Sequence, residues 1–245
     1  MGKKIIMFDY DDTFLVTSEL GKYAGENEGK IIKLRLNPAY KTLLCQIDMI
    51  ICNVLSTALK LGDVYIITNA DLGWLTVTAK IFLPNTLKFL SVLPVISANE
   101  NYRNITTNPM LWKYYTMCDI INKIIEPIDK LISVGDSNME RFAVTSIGYE
   151  SVGKISPHHI QLPRQILNKP KTVCSLKMYD SPTAKELLSE LVYINRFLPF
   201  FASQNNLTDI KLTRRNENNN LKYVLPSSIP IPKNIDTVKL ASYQI

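Results

Sequence analysis

Lys3-Lys4-Ile5-Ile6-Met7-Phe8-Asp9-Tyr10-Asp11-Asp12-Thr13 decides the reading of this chain. An apolar run of strand length ends abruptly in three carboxylates packed into four residues. In an open α/β sheet, ligands bind at the carboxyl ends of the strands, so chemistry belongs where that run stops. Acidic groups this close repel one another and lose hydration, a cost that a bound cation or a reaction would offset. The spacing Asp9-x-Asp11-x-Thr13 suggests a nucleophile and an acid/base on one loop.

Working outward, the same pattern of apolar strand and polar tip recurs. Val64-Tyr65-Ile66-Ile67 ends at Thr68-Asn69, and Leu131-Ile132-Ser133-Val134 ends in Gly135-Asp136-Ser137-Asn138. Helical segments lie between them. Asn37-Pro38 reads as an N-cap followed by proline at the first helical position. Leu44, Ile47, Ile51, Val54, Leu55 and Ala58 then follow at helical spacing, up to Gly62 as a C-cap. Leu72–Leu83 and Pro109–Ile125 read as helices, Leu93–Ser97 as a strand and Glu140–Thr145 as a short helix. This alternation predicts an α/β, doubly wound three-layer sandwich with a mainly parallel, Rossmann-like sheet. Parallel strands would bring the three polar tips to one edge.

The rest of the chain is less regular. Ser18–Leu36, with Gly21, Gly25 and Gly29, suits a small flap beside the acidic loop. Thr172–Met178 reads as a strand, and Ser181-Pro182 opens a helix to about Phe201 with Leu187, Leu188, Leu191 and Ile194 as its stripe. Asn, Pro and Ser accumulate from Gln204 onward, with Arg214-Arg215 and Asn218-Asn219-Asn220. The expected organisation is therefore a catalytic domain over 1–203 and a polar, partly irregular C-terminal extension over 204–245.

A net charge of +6 favours an acidic partner, such as a phosphorylated molecule or nucleic acid, though a solvated surface accounts for it equally well. Cys45, Cys52, Cys118 and Cys174 form no CxxC pair and read as free thiols of a reducing compartment. No run approaches the roughly twenty uninterrupted apolar residues of a membrane helix. The expected setting is cytoplasmic, with no membrane partner. His158-His159 lacks another His or Cys at ligand spacing and reads as a solvated pair.

In this order, the pieces resemble the haloacid dehalogenase superfamily of phosphotransferases. Phe8-Asp9-Tyr10-Asp11-Asp12-Thr13 fits its first motif, an apolar strand followed by D-x-D-x-T. Ile66-Ile67-Thr68 fits the second, a strand ending in Thr or Ser. Lys113 in Leu111-Trp112-Lys113 is the candidate for the third motif's lysine, with Lys123 the other choice. Gly135-Asp136-Ser137-Asn138-Met139-Glu140 approaches the fourth, with Glu140 a methylene longer than the usual Asp. The likeness spans roughly residues 4–150.

The resemblance implies a role for each residue. Asp9 would be the nucleophile that forms an aspartyl-phosphate, and Asp11 would protonate the leaving group and then activate water. Thr13 would hold the loop and, with Asn69, form the substrate-binding rim. Thr68 would hydrogen-bond a phosphoryl oxygen, and Lys113 would neutralise charge between Asp9 and the phosphoryl group. Mg²⁺ would be held by Asp9, the carbonyl of Asp11, Asp136 and Glu140, the last directly or through water. An acid at Asp11 favours phosphate-ester hydrolysis over dehalogenation.

The intervals between motifs leave room for a flap but no large cap, which in this superfamily leans toward macromolecular substrates. The expected activity is thus Mg²⁺-dependent hydrolysis of phosphate monoesters, on a phosphoprotein or a small phosphate ester. The alternatives are a nucleic-acid 3′-phosphatase and a catalytically silent binding module of the same fold.

Overall fold

The computed structural model describes residues 2–24, 31, 33, 36–153 and 165–212. His158-His159, Arg214-Arg215, the Asn218–Asn220 run and most of the second half of the expected flap lie outside the described residues.

Among the described residues six strands form one all-parallel sheet: β1 (Lys3–Phe8), β2 (Asp63–Thr68), β3 (Val95–Ser97), β4 (Ile128–Gly135), β5 (Thr172–Lys177) and β6 (Thr208–Lys211). Their spatial order is β3-β2-β1-β4-β5-β6. The chain winds outward one way from β1 and then reverses, so β1 and β4 flank the switch point where such sheets bind ligands. Phe8 lies beside Ile66 of β2 and Val134 of β4, which brings the tips of all three strands level.

The helices are α1 (Thr17–Ala24), α2 (Pro38–Leu61), α3 (Leu72–Phe82), α4 (Thr86–Leu90), α5 (Ala98–Tyr102), α6 (Pro109–Lys123), α7 (Asn138–Ser151) and α8 (Ala184–Ser203). Side chains alternate across a strand, so Ile6 and Phe8 of β1 enter one core while Ile5 and Met7 enter the other. The first core is closed by α1, α2, α3, α4 and α8, and the second by α5, α6 and α7. A three-layer, Rossmann-like α/β fold results. Burial on both faces explains why the central strands read as continuous apolar runs rather than as alternating ones.

By length and composition α2 could cross a membrane. In the fold, its Leu44, Ile47, Ile51, Val54, Leu55 and Ala58 stripe is buried in the first core, where α2 packs on α8. The Asn37 side chain accepts from Tyr40 N at 2.8 Å and caps α2 ahead of Pro38. Gly62 follows the helix in an extended conformation, and a Cβ there would stand 2.2 Å from the Lys4 carbonyl oxygen. Close approach to β1, not a left-handed cap, is what requires this glycine.

Several elements differ from expectation. Residues 18–24 of the expected flap belong to the helix α1, which starts at Thr17. The helix after β4 runs to Ser151 instead of stopping at Thr145; Gly148 weakens the helical pattern in the sequence, and it sits where a Cβ would meet Val173 at 2.5 Å. The last described helix is capped by Thr183 and Glu186 rather than opened by Ser181-Pro182. The stretch after 203, expected as extension, first supplies the edge strand β6, which is paired in parallel with β5.

Candidate active site

β1 ends at Asp9, whose backbone N–H donates to the Val134 carbonyl at 3.0 Å and continues the ladder one residue past the strand. Asp9 is 6 % exposed. Lys113 enters from α6, also buried, with Nζ 2.7 Å from Asp9 Oδ1 and paired as well with Glu140 Oε1. Lys123, at the opposite end of that helix, is exposed. Geometry therefore brings Lys113, and not Lys123, to the acidic loop.

Carboxylate oxygens of Asp9, Asp136 and Glu140 all lie within 4.8 Å of one another. Gly135 makes that convergence sterically feasible, since a Cβ there would stand 2.5 Å from Glu140 Cγ. Glu140 is pinned at both oxygens. Oε1 faces Lys113, while Oε2 accepts from Ser137 N at 2.9 Å and from the Ser137 hydroxyl, in the capping box that starts α7.

Burial, reinforced by the neighbouring acids, shapes the electrostatics. It pushes Asp9 up to about 8 against the pull of Lys113, with Glu140 and Asp11 adding to the rise. Asp136 is pushed up to about 9 by burial and then by Asp9, Glu140 and Asp12. Burial would raise Glu140 too, but Lys113 and Ser137 override it and hold the carboxyl below its ordinary range. The same two carboxylates, Asp9 and Glu140, raise Lys113 against burial.

If all three were ionised, the carboxylates against one ammonium would leave two negative charges unbalanced; a divalent cation would offset them and draw Asp9 and Asp136 back toward ionisation. The donor set is all oxygen, as a hard cation requires, so these residues fit Mg²⁺. With both oxygens of Glu140 engaged, Asp9 and Asp136 offer the direct carboxylate contacts.

Asp11 stands apart from this cluster and is held by three donors. Thr17 Oγ1 at 2.7 Å and Trp74 Nε1 at 3.1 Å donate to Oδ1, and Thr68 Oγ1 donates to Oδ2 at 3.3 Å. Thr68 Oγ1 also accepts from Ala70 N at 2.9 Å. Thr13 is fully buried, and its hydroxyl accepts from Asp136 N at 3.2 Å, tying the first acidic loop to the second. That places it behind the loop rather than on a substrate rim. Asn69 does reach the rim, with Nδ2 on Met139 Sδ at 3.2 Å. Asp12, at a positive φ of 52°, accepts from Ser18 N at 2.9 Å and from the Ser18 hydroxyl, fixing the start of α1.

Three contributors were not foreseen. Trp74 and Thr17 touch Asp11 directly, and the buried Lys177 donates to the Asp136 carbonyl and to Asp180 Oδ1 at 2.8 Å. Of these only Lys177 left a signal, a lysine at the end of a run, Val173 to Leu176, that is otherwise a buried strand. All the expected site residues except Lys123 meet around one strand edge, Thr13 behind it and the others facing it or paired within it. No protein-family profile, no curated protein and no solved structure matches this chain.

Proposed function

We propose that the protein is a Mg²⁺-dependent phosphatase that hydrolyses phosphate monoesters through an aspartyl-phosphate. The observation that carries this reading is the pairing of Asp9 with the buried Lys113, beside Asp136 and Glu140, with Asp11 two residues on and oriented separately. Two carboxylates in different settings on one loop suit two roles. An oxygen of Asp9 attacks phosphorus while the ester P–O bond breaks, and Asp11 gives its proton to the departing oxygen. Asp11 then takes a proton from water as that water attacks the phosphoryl group, releasing phosphate and restoring Asp9. Lys113 offsets negative charge on the phosphoryl oxygens. Mg²⁺, held by Asp9 and Asp136, would supply further positive charge to those oxygens.

The test is hydrolysis of an aryl phosphate with and without Mg²⁺, beside Asp9→Asn. Metal-dependent turnover in the wild type and none in the variant, with unchanged circular dichroism, is the expected result. Turnover retained by Asp9→Asn would remove the proposed nucleophile. A protein that neither turns over the ester nor binds Mg²⁺ would instead be a binding module.

A further inference from the structure

Beside Asp11 lies a cavity of about 290 Å³ lined by Asp11, Thr17, Asn69, Asp71, Trp74 and Asn99. Since Asp11 is the proposed proton donor to the departing oxygen, the group attached to that oxygen must lie next to it. The volume falls at the bottom of the range for small-molecule pockets and suits a single ring with substituents.

The lining specifies chemistry as well as size. Trp74 is fixed by its Nε1–H bond to Asp11, so its indole forms a rigid, flat apolar wall. Asn69 and Asn99 carry amides that both donate and accept, while Asp71 accepts only. The wall that bears Asn99 is braced, because Glu100 Oε1 on the same short helix accepts from Leu72 N at 2.9 Å at the start of α3. None of the described lining residues is basic. Arg103, whose Nη1 stands 4.0 Å from Asp71 Oδ1, is already directed to that carboxylate. A polyanionic group would meet Asp11 and Asp71 with little counter-charge. A hydroxylated ring, by contrast, offers C–H faces to the indole and hydroxyls that satisfy amides and carboxylate alike.

Resting on the phosphatase reading above, we propose that the leaving group is an uncharged polyhydroxylated ring, so that the substrates are monophosphates of sugars or similar polyols. This cavity, and not the bare phosphoryl site, would set specificity, and Asn99 and Asp71 would read the hydroxyls.

The experiment measures kcat/KM of the full chain with Mg²⁺ on hexose monophosphates, 4-nitrophenyl phosphate, a phosphoserine peptide and a 3′-phosphorylated oligonucleotide. Asn99→Ala is assayed in parallel. Hexose phosphates should lead the panel, and the ratio of hexose phosphate to aryl phosphate kcat/KM should fall roughly three- to tenfold in the variant, the loss of about one hydrogen bond. Preference for the peptide or oligonucleotide, or a ratio unmoved by Asn99→Ala, would overturn this inference while leaving the phosphatase reading intact. Absence of turnover on every ester, aryl phosphate included, would remove both.

Discussion

At the scale of single residues, the proposed role of Asp11 as proton donor depends on how its carboxyl is held. Oδ1 accepts from both Thr17 and Trp74, so the indole N–H fixes one edge of the acid. Trp74→Phe keeps an aromatic wall but removes that donor. It should lower kcat several-fold with little change in KM for an aryl phosphate, the result expected when an acid is less well placed but substrate binding is unaffected. A change confined to KM would instead make Trp74 a binding wall only. Asp9, Asp11, Thr68 and Asp136 were legible because each lies at, or one or two residues past, the polar tip that ends an apolar run of strand length. Trp74 was not, because its partner is 63 residues away and nothing in a helical stretch marks which side chain will meet a distant loop. Ser137 was legible as a polar tip but not as the group that engages Glu140, since capping is a relation between two residues that a motif reading treats as one carboxylate.

At the scale of elements, the site depends on β1 being held level with β2 and β4. The turn from α2 into β2 passes directly over β1, where Gly62 leaves only enough space for a hydrogen in front of the Lys4 carbonyl. Gly62→Ala should destabilise the fold by about 1–3 kcal/mol through overpacking against backbone that cannot rotate away. Thermal unfolding would report this as a fall in Tm of roughly 2–4 °C for each kcal/mol. An unchanged Tm would show that the junction gives way easily and is not what sets the register. The central strands and the long helices were readable since burial on both faces, or along one stripe, leaves a periodic record. The edge strand β6 left none. It reads Thr-Asp-Ile-Lys, and of these only Ile210 is buried. Besides its ladder to β5, it is held by Arg141 on α7, which grips Asp209 through Nε at 3.0 Å to both oxygens and through Nη2 at 2.6 Å. Such an ion pair between separate elements cannot be inferred from a local pattern.

For the whole molecule, the distribution of charge bears on what the protein acts upon. Residues 154–164 and 213–245 hold Lys154, Arg164, Arg214, Arg215, Lys222, Lys233 and Lys239 against only Glu217 and Asp236, and so carry five of the six net positive charges. The remainder of the chain, which includes the strand edge that carries Asp9, is close to neutral. Basic composition therefore says little about the site itself, and the leaning toward nucleic acid that it suggested belongs to segments outside the described residues. A substrate held by six to ten phosphate contacts loses about 10³–10⁵ in affinity between 50 and 200 mM salt. A small, singly phosphorylated polyol drawn to Asp9, Lys113 and one Mg²⁺ makes no such set of contacts, so its kcat/KM should vary less than about threefold over that range. Retention of the full chain on single-stranded DNA should fall steeply over the same salt interval, because Arg214, Arg215 and their neighbours can release counterions wherever they meet a polyanion. If hydrolysis of the small ester fell with the same steep slope, the basic segments would have to act at the strand edge during turnover, and the near-neutral body could not be the whole of the catalyst.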